Sequence, residues 1–248
     1  MIYYRNGVVS KNIFRYAKKL KKQYPEFELI MSSPEDAVIE KEIISVVGSK
    51  NILELGTATG AWAAWIHNNI KGLKFYLTEN FQAWYKYAHY KKFPKNIKKL
   101  STNLNEFTNG TIDFQAFSDD YYDIKHKIKD PIDYARVDCN TKNMRDVFQH
   151  LINTGSDKLV IVLDDCTPNV AICRLLVISE FIHTKQLKVL WAGYERMAFC
   201  RYEFDSKEIV DKLTHQNEVI KKYFNTVYPW NDFPIADTPQ YYLVTMAN

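Results

Sequence analysis

The sequence predicts an α/β fold, a mostly parallel sheet with helices on both faces. Three observations predict it. Short apolar runs recur along the chain and alternate with helix-forming segments. The first run, Ile52, Leu53 and Leu55, leads into Gly56 and Gly60 and then a helix-forming stretch at 61–66. Acidic residues stand at the carboxyl ends of the later runs, where open α/β sheets bind their ligands.

The elements follow in order. Residues 11–23 read as a basic amphipathic helix in an N-terminal helical extension over 1–30, suited to packing on the rest of the chain or on a homodimer partner. Residues 31–248 read as one domain. Ser33-Pro34-Glu35-Asp36 starts a helix that runs to about Val47: a serine cap, proline in the first turn and acids at the positive dipole end. The strand before Gly56 comes next. A second strand spans 73–78, and an aromatic helix spans 81–92, with a further helical turn or two after Pro94. Strands at 111–117, 132–137 and 158–163, helices at 143–153 and 169–184, and a sixth strand at 187–192 complete the alternation. In the tail, 197–203 and 240–246 both read as strands, with a helix at 206–224 between them.

Composition narrows the class. A chain of 248 residues, 46% of them hydrophobic, can bury a sizeable core. The net charge is +4, with lysines bunched at 18–22 and 91–99. Such bunches are ordinarily solvated helix faces, and they also suit nucleic acid, an anionic membrane or an acidic substrate. Cys139, Cys166, Cys173 and Cys200 show neither C-x-x-C nor zinc spacing, which suits a reducing compartment. No apolar run approaches the ~20 residues that span a bilayer, and the amino terminus has no signal-peptide core. The expected location is cytoplasmic, with no membrane partner.

The glycine turn reads E-x-G-x-x-x-G from Glu54 through Gly56 to Gly60. It is neither the dinucleotide G-x-G-x-x-G nor a P-loop, whose lysine is missing. A strand, glycine loop and helix in this order hold a nucleoside cofactor. Glu79 ends the second strand, where a carboxylate accepts from both ribose hydroxyls of an adenosine. Ser118 and Asp119 end the third, within reach of an adenine amino group. Either acid has the alternative of capping the next helix, and Asp120 competes with Asp119. Asp138 ends the fourth strand, and Asp164 and Asp165 end the fifth. Three carboxylates on one rim repel one another unless something offsets their charge. Mg²⁺ or a similar divalent cation does so through oxygen ligands and can orient a substrate hydroxyl. The alternative is that Asp164 or Asp165 caps the helix begun by Pro168.

Taken together these residues resemble the metal-dependent catechol- and caffeoyl-CoA-type O-methyltransferases, class I enzymes that use S-adenosylmethionine (SAM). The segments that carry the resemblance are Met31-Ser-Ser-Pro-Glu-Asp36, Ile52-Leu-Glu-Leu-Gly-Thr-Ala-Thr-Gly60, Asp113 through Asp119, Val137-Asp138-Cys-Asn140 and Leu163-Asp164-Asp165. The resemblance implies a Rossmann-like seven-stranded sheet, with 197–203 or 240–246 as its antiparallel edge strand. It implies a SAM site of Glu54, Gly56, Thr57, Ala58, Gly60, Glu79, Ser118 and Asp119, and a metal site of Asp138, Asp164 and Asp165. Ala58 stands where many class I enzymes have glycine, and Asp165 replaces an asparagine. Lys142 is one place out of register with the family's lysine, the candidate for helping Asp138 at the catalytic step. The implied function is O-methylation of a small hydroxylated acceptor. A nucleic-acid methyltransferase is the rival enzyme, although the chain has no D/N-P-P-Y/F motif and no Pro-Cys pair. A non-catalytic SAM-fold interaction module is the rival of another class. On this reading Gly60→Val blocks the methionine end of SAM and leaves the fold mostly intact.

Overall fold

The computed structural model describes residues 34–81, 94–138, 143–164, 168–192 and 196–206. The expected segments at 11–23, 206–224 and 240–246, most of the aromatic helix at 81–92, Lys142 and Asp165 lie outside them. In chain order the elements are α1 (Pro34–Val47), β1 (Asn51–Leu55), α2 (Ala61–Asn69), β2 (Lys74–Thr78), α3 (Ile97–Thr108), β3 (Asp113–Phe117), α4 (Tyr121–Ile124), β4 (Tyr134–Val137), α5 (Met144–Thr154), β5 (Val160–Leu163), α6 (Pro168–His183), β6 (Leu187–Ala192) and β7 (Met197–Arg201).

The described strands form a seven-stranded sheet in the order β3-β2-β1-β4-β5-β7-β6. β1 to β5 are mutually parallel. β7 runs antiparallel to both β5 and β6. The expected edge strand at 197–203 is therefore the antiparallel one, but it is not the edge. It inserts between β5 and β6, and β6 takes the edge. The turn expected after Pro94 is also longer than the sequence suggests: α3 runs for 12 residues. Asn96 caps its start by accepting from the Lys99 N–H at 2.9 Å.

Because the sheet is covered on both faces, successive residues of one strand belong to different cores. Ile52, Phe75, Leu77, Tyr134, Val160, Val162, Ala198 and Cys200 pack with α1, α2 and α3. Leu53, Leu55, Tyr76, Ala135, Val137, Ile161, Leu163 and Phe199 pack with α4, α5 and α6. The buried residues of α5 (Val147, Phe148, Leu151 and Ile152) recur at helical spacing, as one buried stripe requires. Phe148 meets Phe181 of α6 edge to face, with ring centroids 6.3 Å apart.

α3 also fixes the glycine turn. Gly60, the residue before α2, has φ 82°. A Cβ there would come 2.9 Å from Leu100 Cδ1 and from Leu104 Cδ2. A Cβ at 60 would therefore displace the leucine ends of α3, and the positive φ strains any side chain there, which changes the expected outcome of Gly60→Val. Overpacking and a left-handed backbone together cost about 2–4 kcal/mol. The variant should unfold at a clearly lower urea midpoint, and Leu104→Ala in the same chain should recover part of the loss. An unchanged midpoint would show that α3 yields freely.

Candidate functional site

The five parallel strands end level with one another. Leu55 pairs with Thr78 and Val137, Thr78 with Phe117, and Val137 with Leu163. One step beyond lies a row made of Gly56, Glu79, Ser118, Asp138 and Asp164. The ladder holds this row in place: Gly56 N–H donates to Thr78 C=O (2.9 Å), Glu79 to Phe117 (3.1 Å), Asp138 to Leu55 (2.8 Å) and Asp164 to Val137 (3.0 Å). Strand order reverses between β1 and β4, so the crevice at this switch point opens onto the row.

The loop over this crevice is strapped to the end of β2. Thr57 N–H joins Gly56 N–H on Thr78 C=O, at 3.1 Å, and Gly60 N–H closes a turn on Thr57 C=O at 3.0 Å. Ala58 N–H donates to Glu79 Oε2 at 2.5 Å. Gly56 has φ 87° and Ala58 has φ 52°. Ala58 therefore sits in the left-handed region that glycine enters more cheaply, at the position where many class I enzymes carry glycine. Glu79 is buried, and one of its carboxylate oxygens accepts from the loop. Ser118 and Asp119 are exposed at the end of β3. The cap of α4 is Asp120, which accepts from the Tyr122 N–H at 2.9 Å, so Asp119 is not used as the cap.

The rim acids meet partners that the sequence reading did not assign. Arg136, in the middle of β4, is buried and pairs in register with Glu54 of β1. Its Nη1 lies 2.9 Å from Glu54 Oε1, and its Nη2 lies 2.9 Å from Asp138 Oδ2 and 2.6 Å from Asp164 Oδ2. Arg196, the residue before β7, places Nε 2.8 Å from Asp164 Oδ1 and Nη2 2.8 Å from Asp164 Oδ2. On its other side Arg196 Nη1 bonds Glu40 of α1, whose second oxygen accepts from the Tyr134 hydroxyl at 2.9 Å. Arg174 of α6 donates from Nη1 to the Asp164 carbonyl at 2.8 Å. The Arg136 guanidinium also lies 5.3 Å from the Trp62 ring, which stacks on Tyr134.

This network bears on the charge argument for a metal. Carboxylates do crowd the rim, but the described ones are offset by guanidinium groups. Both Asp164 oxygens accept from arginine, and Asp138 shares the guanidinium nitrogen that holds Asp164. Among the described residues no group of three His, Cys, Asp or Glu could hold a metal ion. As arranged, Asp138 and Asp164 do not fit a cation site. A signal for the missed residues exists in the sequence. Arg136 interrupts the apolar strand Tyr134-Ala-Arg-Val137, and Glu40 falls on the helical stripe of Ala37, Ile44 and Val47. A charge on a buried face implies an opposite charge facing it.

Burial decides the protonation of Glu54. It pushes the Glu54 carboxyl up to about 8, against the pull of Arg136, and the charges of Glu40 and Glu79 push the same way. Burial likewise raises Glu40. It also works against the Arg136 charge, but Asp138, Asp164 and Glu40 overcome it and hold the guanidinium more firmly protonated. Glu54 Oε2 is buried with no hydrogen-bond partner among the described residues. An orphaned polar atom two residues before Gly56 fits a site whose ligand would complete it.

No protein-family model matches this sequence, and no curated protein sequence is significantly similar to it. Solved structures do match in fold. The O-methyltransferase TomG of Streptomyces achromogenes, in complex with SAM, aligns at a TM-score of 0.51 and 14% identity over 80% of this chain and 91% of its own. A candidate caffeoyl-CoA O-methyltransferase of Staphylococcus aureus aligns at 0.53 and 15%, over 75% and 96%. The SAH-bound methyltransferase PaMTH1 of Podospora anserina aligns at 0.53 and 9%, over 81% and 98%. At these identities the likeness is one of fold: the chain shares the α/β fold of these methyltransferases, with its seven-stranded, mostly parallel sheet.

The raised Glu54 gives a pH prediction. The folded chain keeps a proton on Glu54 that the unfolded chain releases near the ordinary value of 4.5. The stability it contributes is full below that value and falls as pH rises towards about 8. Glu54→Gln removes this dependence. Urea midpoints should show the variant gaining on the wild type as pH rises, with the gap level above about 8. A gap of constant size across the range would mean that Glu54 titrates normally.

Proposed function

We propose that this protein is a SAM-dependent methyltransferase that methylates an oxygen of a small hydroxylated acceptor. The observation that carries the reading is the row of Gly56, Glu79, Ser118 and Asp138 at the switch point, level across four strand ends, beneath a strapped glycine loop. A module kept only for interaction has no need of a polar row in that crevice. SAM, when bound, supplies an electrophilic methyl group on its sulfonium. The chain's part is to align the acceptor oxygen and remove its proton. Glu79 accepts from the ribose hydroxyls while it holds Ala58. Ser118 and Asp119 read the adenine edge. Glu54 Oε2 meets the methionine end beside Gly56 and Thr57. Asp138, the most exposed carboxylate of the rim network at 25%, takes the proton as the acceptor oxygen gains the methyl and the sulfide leaves. No step is routed through a metal, because both Asp164 oxygens are engaged by arginine.

Calorimetry with SAM tests the binding half. Glu79→Gln keeps an acceptor for Ala58 and loses the charge, and it should weaken SAM by about tenfold or more. Asp138→Asn should lower kcat by about 10²–10⁴-fold and leave the SAM affinity near that of the wild type. Labelled SAM offered with phenols, catechols, sugars and oligonucleotides identifies the acceptor. Label confined to the oligonucleotides would replace the small-acceptor reading with the nucleic-acid one. Failure to bind SAM would leave a fold without this function.

A further inference from the structure

We infer that Arg136 and Arg196 occupy the role of a rim cation in this chain, so that its methyl transfer needs no divalent metal, and that Arg196 is the residue that closes the position. The activity half of this inference rests on the methyltransferase reading; the metal half does not.

The geometry is that of a filled site. A cation shared by Asp138 and Asp164 would bridge one oxygen of each. Arg136 Nη2 already does so, 2.9 Å from Asp138 Oδ2 and 2.6 Å from Asp164 Oδ2. Arg196 then takes both Asp164 oxygens in a two-pronged contact, 2.8 Å from each. Bidentate guanidinium–carboxylate pairs are the strong form of this interaction. A hard cation ~2.1 Å from the same oxygens would sit almost against two positive groups. Lowering the affinity of the arginines by pH is closed as well, since a guanidinium does not lose its proton in a protein.

Nor can Arg196 swing aside at little cost. Its side chain is 1% exposed and is held from the opposite side by Glu40 of α1. Leaving Asp164 would strip the buried Glu40 of its guanidinium contact too. The consequence for the acceptor is chemical. A metal orients a substrate by chelating two donor oxygens through open coordination positions. A committed guanidinium offers none, so a single hydroxyl facing Asp138 is sufficient and a neighbouring second hydroxyl is not required.

Mn²⁺ titrated calorimetrically into the full chain without SAM is the direct test. The wild type should show no saturable binding at millimolar Mn²⁺, and EDTA should leave methyl transfer from labelled SAM unchanged. Arg196→Met should gain one saturable Mn²⁺ site, which Asp164→Asn in the same chain abolishes. Saturable binding by the wild type that Asp164→Asn removes, or transfer that EDTA stops and Mg²⁺ restores, would overturn the inference. So would a folded Arg196→Met chain that gains no site. Should that variant not fold, the wild-type titration still decides, and Arg196→Lys should remain without a Mn²⁺ site. A chain that bound no SAM would refute the methyltransferase reading and leave the Mn²⁺ result standing.

Discussion

The structure depends on balancing one buried charge. Arg136 projects from the middle strand of a sheet covered on both faces, where water does not reach to solvate it. Leaving such a group without counter-charges is far more costly than any single packing defect in a domain of this size. Asp138 just past β4 and Asp164 after β5 supply counter-charge, Glu54 across the ladder on β1 accepts a hydrogen bond while burial keeps it protonated up to about 8, and Glu40 on α1 has its Oε2 3.7 Å from Nε. Arg196 adds β7 to the set through Asp164 and Glu40. One balance thus specifies how a helix and four strands must sit. It also explains why the tyrosine hydroxyl of β4 points at Glu40 rather than into the apolar cluster around it.

The crevice inherits its shape from that arrangement and from α3. The network fixes the β4 and β5 side of the opening. Gly56, Thr57 and Ala58 are tied to Thr78 and Glu79 on the β2 side. Leu100 and Leu104 press on Gly60 from outside. The loop is therefore preorganised by its surroundings, which lowers the ordering cost that a ligand would otherwise meet.

Local features were legible in the sequence. The first six strands are placed by their apolar runs, with ends adjusted by about two residues as expected. Pro34 marks the start of α1, and the glycine turn marks the crevice. What the sequence hides is non-local. Nothing near Asp164 announces that its counter-charges lie at positions 136 and 196, nor anything near Glu40 that Arg196 lies 156 residues away. The rim acids call for positive charge on sequence grounds alone, but that Arg136 and Arg196 stand beside Asp138 and Asp164 is visible only in the tertiary structure. Gly60 shows the same limit. Its positive φ follows from the turn, whereas the leucines that a Cβ there would displace come from the helix forty residues on. The insertion of β7 inside the sheet leaves no local mark at all, because an antiparallel strand buried on both sides reads like an antiparallel strand at an edge.

That insertion bears on how the chain assembles. Strands β1 to β5 can form their parallel ladder in the order of synthesis, but β5 then presents an open edge. Among the described strands the β6–β7 pair covers it, through the later of the two. β7 is thus the strand of that pair that meets β5. Until it does, Arg196 is absent and Asp164 has lost its two-pronged partner. The same docking event that closes the open edge completes the electrostatics of the crevice. A chain in which β7 is not seated on β5 lacks both the cover on that strand and the Arg196 contacts to Asp164, so one strand placement serves the sheet and the crevice together.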